Sequence, residues 1–120
     1  MKEIIRARSI MTGLTRKEEL ILLSILNLQN DAYLVAITDH LSKIMGKKVT
    51  ITSVHLPLNR LERKGLIESK MGEATAIRGG RRKRIYTITK MGYSELSEYK
   101  RIHDELWAKY SSLSSQEENV

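Results

Sequence analysis

The sequence predicts a mainly α-helical domain with a single β-hairpin and a long C-terminal helix. Three observations predict it. Three segments in the first half of the 120-residue chain carry apolar residues at helical positions, bounded by capping and glycine signals. Two runs of strand formers then flank a basic stretch that contains glycines. From Leu96 onward an apolar and aromatic series recurs at steps of 3, 4, 3, 4 and 3.

Residues 1–14 form an N-terminal segment compatible with a helix, carrying Ile4, Ile5, Ile10 and Met11 without a clean period. Thr15-Arg16-Lys17-Glu18 is a capping box, in which the hydroxyl and the carboxylate satisfy two of the free N–H groups that open a helix. The helix behind it, to about Gln29, is apolar on nearly all sides and is expected to be the central, buried one. Asn30-Asp31 makes a turn. A second helix, about 34–45, aligns Ile37, Leu41, Ile44 and Met45 and stops at Gly46. Thr50 or Thr52 caps a third, which carries the stripe Val54, Leu58 and Leu61 and ends at Gly65. Pro57 lies inside it, removes one backbone donor and is expected to tighten or bend the first turn. Leu66–Met71 and Arg84–Thr89 read as strands joined by a long basic loop. Thr89 caps the last helix, about 90–113, whose seam is Leu96, Tyr99, His103, Leu106, Tyr110 and Leu113. A serine- and acid-rich tail, with residues 114–120 flexible, is expected to fray.

Charge is distributed unevenly. The chain carries a net +7, and the stretch from Lys47 to Arg84 alone holds eleven Lys and Arg against three acids. The positive excess therefore sits on the third helix and the hairpin, where a merely solvated surface would mix signs. Three helices followed by a basic hairpin is the order of a winged helix-turn-helix domain, here over residues 15–89, with a dimerisation helix at 90–113. On that reading the third helix turns Ser53, His55, Leu56, Asn59, Arg60 and Arg63 away from the core. Thr50, Thr52 and Ser53 at its start allow close approach to phosphates, which the helix N-terminus also attracts. Asn59 and Arg60 have the donors and acceptors to read base edges of double-stranded DNA. Arg63 could instead pair with Glu62 or Glu68. Arg78, Arg81, Arg82, Lys83 and Arg84 are placed at the hairpin tip, suited to phosphates or to the minor groove.

A long amphipathic helix on a small domain needs cover. A homodimer supplies it and would double the readout; the alternative is that the helix folds back on its own domain. Tyr99, Trp107 and Tyr110 are candidates to line a pocket for a small aromatic or hydrophobic effector, against the plainer expectation that Trp107 packs beside Leu106. The three histidines, His40, His55 and His103, are far apart in sequence and none lies in a metalloprotease motif. Gly79-Gly80 lacks the phosphate-loop lysine, and no cysteine is present, so no enzyme, cofactor or metal site is expected. The apolar run from Leu20 to Leu26, interrupted by Ser24, is too short for a membrane span. Met1 to Arg8 lacks a signal-peptide core, and the expected location is cytoplasmic. Two rivals to specific DNA recognition stay open: a protein-interaction winged helix whose basic hairpin meets an acidic partner, and a non-specific nucleic-acid binder.

Several runs resemble the PadR family of bacterial transcription regulators. They are Arg60-Leu61-Glu62-Arg63-Lys64-Gly65-Leu66-Ile67, Gly72-Glu73-Ala74-Thr75, Gly79-Gly80-Arg81-Arg82-Lys83-Arg84-Ile85-Tyr86 and Ile88-Thr89-Lys90-Met91-Gly92, with Glu18-Glu19-Leu20 and Ala32-Tyr33 upstream. The resemblance spans about residues 15–107. It implies a winged helix that dimerises through the C-terminal helix, usually represses, and in some members releases DNA when an aromatic or drug-like molecule binds near the dimer interface. The chain departs from the pattern at Leu34, where the family often has glycine, at His55, where it often has tyrosine, and at Ile85, where it often has a second aromatic.

Overall fold

The computed structural model describes residues 13–72 and 82–118, with side chains as far as Ser115. The element order is α1 (Arg16–Leu28), a single 3-10 turn (Gln29–Asp31), α2 (Leu34–Met45), α3 (Ile51–Arg63), β1 (Ile67–Met71), β2 (Arg84–Ile88) and α4 (Lys90–Glu118). This is the mainly helical, one-hairpin fold that the pattern predicts. Residues 1–12 of the expected N-terminal segment lie outside the described residues.

Thr15 opens α1 with both halves of the capping box in place: its hydroxyl accepts from the Glu18 N–H, and its own N–H donates to the Glu18 carboxylate. Ile21, Leu22 and Ile25 are buried, whereas Leu23 is exposed, so α1 is central on one side only and not all round as the sequence suggested. The helix ends one residue before the expected Gln29, which itself takes φ 50° and opens the 3-10 turn. In α2 the stripe is narrower than expected. Ile37 and Leu41 are buried, but Ile44 is 67% exposed and Met45 is exposed as well. Ser42 fixes the turn that follows, since its hydroxyl donates to the Thr38 carbonyl and accepts from the Val49 N–H.

Thr50, rather than Thr52, caps α3, its hydroxyl accepting from the Ser53 N–H at 3.2 Å. Pro57 has no N–H to give to the Ser53 carbonyl, yet α3 runs through it, and the ring is buried beside Val54, Leu58 and Leu61. At the far end the Gly65 N–H donates to the Glu62 carbonyl and the Leu66 N–H to that of Leu61. This Schellman closure needs a residue at positive φ, and Gly65 sits at φ 80°.

The two strands pair antiparallel, from Ile67 opposite Ile88 to Met71 opposite Arg84. Ala32, between α1 and α2, adds one rung by accepting from the Tyr86 N–H. A single core of Ile21, Leu22, Ile25, Ala32, Ile37, Leu41, Val54, Leu58, Leu61, Leu66, Ile67 and Tyr86 joins the three helices to the hairpin.

The last helix is rooted in the end of α3. Thr89 donates its N–H to the Leu66 carbonyl and its hydroxyl to that of Gly65, and the same hydroxyl accepts from the Gly92 N–H. A Cβ on Gly92 would lie 2.2 Å from the Leu66 carbonyl oxygen. The Thr-x-x-Gly sequence is thus a cap and a close-approach site in one. The helix continues to Glu118, through most of the segment expected to be a flexible tail. No described helix is long and apolar enough to cross a membrane.

Candidate nucleic-acid interface

α3 divides cleanly by period. Val54, Pro57, Leu58 and Leu61 face the core. Thr52, His55, Leu56, Asn59, Arg60 and Arg63 recur at helical neighbours on the other side, where Leu56 is 58% exposed. Among the described residues no hydrogen bond or ion pair engages the side chains of His55, Asn59, Arg60 or Arg63, nor the Thr52 hydroxyl. Arg63 therefore pairs with neither Glu62 nor Glu68. The hydroxyls of Thr50 and Ser53 are already used in the cap, Ser53 Oγ donating to the Thr50 carbonyl at 2.8 Å. Three donors and acceptors in a row, Arg60, Asn59 and His55, beside an uncovered leucine, make a surface able to meet base edges and a thymine methyl.

The rear of α3 is braced in two places that spacing did not reveal. Lys64, the residue just past its end, reaches back to Glu18 at the start of α1, with Nζ 2.9 Å from Oε2, and donates also to the Gly13 carbonyl. The Glu18 carboxyl is only 1% exposed. Burial works to raise its pKa, but the Thr15 N–H and the Lys64 ammonium outweigh this and hold it below the ordinary value. Glu62 forms the second brace. It accepts from Ser69 Oγ on β1 at 2.6 Å, and Ser69 in turn accepts from Arg84 Nη1 on β2 at 3.0 Å. The hydroxyl thus bridges an acid of α3 to a base of the hairpin.

The hairpin cations fall into separate groups. Arg78 and Arg81 lie outside the described residues. Arg82 is exposed, with no partner among the described residues. Lys83 and Arg84, expected at the tip, flank the loop-side end of the strand pair. They stand where the strands enter the loop: the Gly72 N–H meets the Lys83 carbonyl and Arg84 pairs with Met71. Lys83 Nζ lies 4.0 Å from the centre of the Tyr33 ring, a cation–π contact that ties the hairpin to the start of α2. Charge alone could not separate these roles. Among the described bases of the rich stretch, Lys64, Lys83 and Arg84 have partners within the protein.

Along α4 only the near half is covered. Leu96 packs against the core, and Tyr99 and His103 are half-buried. Leu106, Trp107, Tyr110 and Leu113 are exposed, Leu106 at 72%. Over this far half the helix does not pack back on the described residues of its own domain. Tyr99, His103, Trp107 and Tyr110 form one row, with successive ring centres 6.4, 5.8 and 4.9 Å apart. The Trp107 indole N–H donates to His103 Nε2 at 3.0 Å. Trp107 therefore meets His103 and Tyr110 rather than a buried core. A separate groove of about 420 Å³ between α1 and α4 is floored by Leu23, Leu26, Tyr93 and Leu96. His103 borders it, but the other three rings of the row do not.

Comparison with known proteins agrees with this geometry. The model of the transcriptional regulator PadR-like family matches residues 22–98. A PadR-like transcriptional regulator from Bacillus cereus is similar in structure, with TM-score 0.66 and 26% identity over 80% of this chain and 88% of that one. A PadR-like transcription factor from Bacteroides fragilis is similar too, with TM-score 0.63 and 25% identity over 90% and 98% of the two chains. A point mutant of MepR from S. aureus shares the fold at 24% identity and TM-score 0.63, over 99% of this chain and 80% of that one. No curated protein matches the sequence significantly.

Proposed function

This chain belongs to the PadR-like family of transcriptional regulators, DNA-binding proteins and not enzymes, and from that premise we propose that it reads a specific palindromic operator as a homodimer. The carrying observation is α3: a rear face locked to the scaffold by Lys64 and Glu62, and a front face whose His55, Asn59, Arg60 and Arg63 have no partner among the described residues. Polar groups held ready and unsatisfied suit a surface whose partner is a base edge. Arg82, with Arg78 and Arg81 of the same basic stretch of sequence, supplies the phosphate or minor-groove contacts, with Thr50, Thr52 and Ser53 at the mouth of α3. Lys83 and Arg84 contribute to the field while bracing the hairpin.

The homodimer forms through α4, residues 90 onward, with 15–89 as the DNA-binding body. The exposed row from Leu106 to Leu113 supports this, continuing the seam that Leu96, Tyr99 and His103 begin. Repression in the cytoplasm follows the usual mode of the family. Tyr99, Trp107 and Tyr110 offer a flat hydrophobic effector a surface that a second copy would close, and its binding would release the DNA.

The test is a titration of the protein against its own promoter and against scrambled DNA at several salt concentrations. Specific recognition gives a preference of roughly a thousandfold or more, with log K falling by about 0.9 per neutralised phosphate for each tenfold rise in salt. Equal affinity for both DNAs would overturn the reading, and so would binding to neither.

A further inference from the structure

A second hollow, remote from the aromatic row of α4, lies where the first turns of α1 and α3 meet the end of α2. Its volume is about 500 Å³, within the range of small-molecule sites. The floor is apolar, made by Leu20, Leu41, Met45, Val49 and Val54. Leu41 and Val54 belong to the core, whereas Met45 is exposed and nothing in the described residues covers it. The rim carries Arg16, Lys17, Lys47 and Lys48, and no carboxylate lines the hollow. None of those four cations makes an ion pair among the described residues. Thr50 and Ser53 complete the wall where α3 begins.

We propose that this hollow binds a small organic anion with a compact apolar body, such as a medium-chain carboxylate. Two features select that chemistry together. Four unpaired cations around one opening favour a negative head group, and burying Met45 and Val49 favours a hydrocarbon body of matching size. A DNA backbone would satisfy the rim only, since its phosphates bring no apolar group to the floor. A neutral hydrophobe would satisfy the floor only. The occupant sits against the opening turn of α3, at a site separate from the surface that would take an aromatic effector on α4.

Isothermal titration calorimetry with decanoate, decanol and decyltrimethylammonium, all kept below micelle-forming concentrations, tests the site directly. Decanoate should bind once per chain, at least about tenfold tighter than decanol, with the cationic probe weaker still. Lys47→Gln with Lys48→Gln should lower decanoate affinity roughly tenfold and leave the decanol affinity alone. Both lysines are exposed, and an unchanged circular-dichroism melt shows that the fold is intact. Met45→Lys should weaken decanol, which needs the floor, more than it weakens decanoate. The proposal is overturned if decanoate and decanol bind equally, if the double variant binds decanoate like the parent, or if binding is lost instead in Trp107→Ala.

Discussion

The body of the domain and the far half of α4 treat apolar side chains in opposite ways. In the body, Ile21, Leu22, Ile37, Leu58 and Leu61 are sealed from water, and no buried side-chain polar atom of the described residues lacks a partner. Along α4 beyond His103, Leu106, Trp107, Tyr110 and Leu113 stand in solvent on a helix held at its near end. Each region carries a regular pattern, but only the first finds its complement within the same chain. A closed core needs no further cover, whereas an open row leaves apolar surface that the proposed second copy would cover.

The sharpest way to break that contrast is to charge the open row. Leu106→Glu with Leu113→Glu removes four leucines from a dimer, about 6 kcal/mol or roughly a 10⁴-fold weaker association. Sedimentation should show monomer at micromolar protein while the circular-dichroism spectrum stays native. Unchanged dimers would mean that the row is not the interface. Inside the body, Leu58→Ala should cost about 3 kcal/mol in urea unfolding, because a sealed site cannot refill the lost volume. Gly92→Ala joins the two regions. Its Cβ would press on the Leu66 carbonyl, so a loss of about 2 kcal/mol is expected, with weaker dimers as α4 shifts at its root. A loss of stability near zero would show that the root is loose.

Lys64→Met should cost about 1–2 kcal/mol, less than a fully buried pair because the lysine is partly exposed. It should also change the acid response. The Glu18 pKa is depressed in the fold, so its contribution is present above the ordinary value of 4.5 and is lost as pH falls through the lower, folded value. In parallel urea titrations from neutral pH into that acid range, the variant should lose less stability than the parent. Equal losses would remove Glu18 from the account. The smallest effect belongs to Arg82→Ala, which should lower the slope of log K against log salt by about one while sparing operator preference.

Elements with a local signal were legible in the sequence. The capping box, Gly46, Gly65 and the strand pair are set by a few neighbouring residues, and each lies within a residue or two of its predicted place. What depends on partners distant in sequence was not legible. Lys64 reads as one more cation on the basic stretch until Glu18, 46 residues away, is brought beside it. Lys83 and Arg84 read as two more cations of the basic loop until Tyr33 and Ser69, distant in sequence, are brought beside them. Ile44 and Met45 keep the period of α2, yet nothing among the described residues covers them. The candidate DNA-reading face was legible as a period, since the core stripe of α3 defines its opposite. The contacts that hold that face in place were not.

Thr89 hangs from the carbonyls of Gly65 and Leu66, so α4 pivots on the very residues that end α3. Twenty-nine residues make an arm of about 43 Å. A tilt of roughly 10° at the pivot would swing its far end by about 7 Å. Read in reverse, two arms clamped together would fix the aim of two pivots, and a small change of angle between the arms would reset the distance between the paired α3 helices. The fulcrum is a single threonine with one glycine beside it.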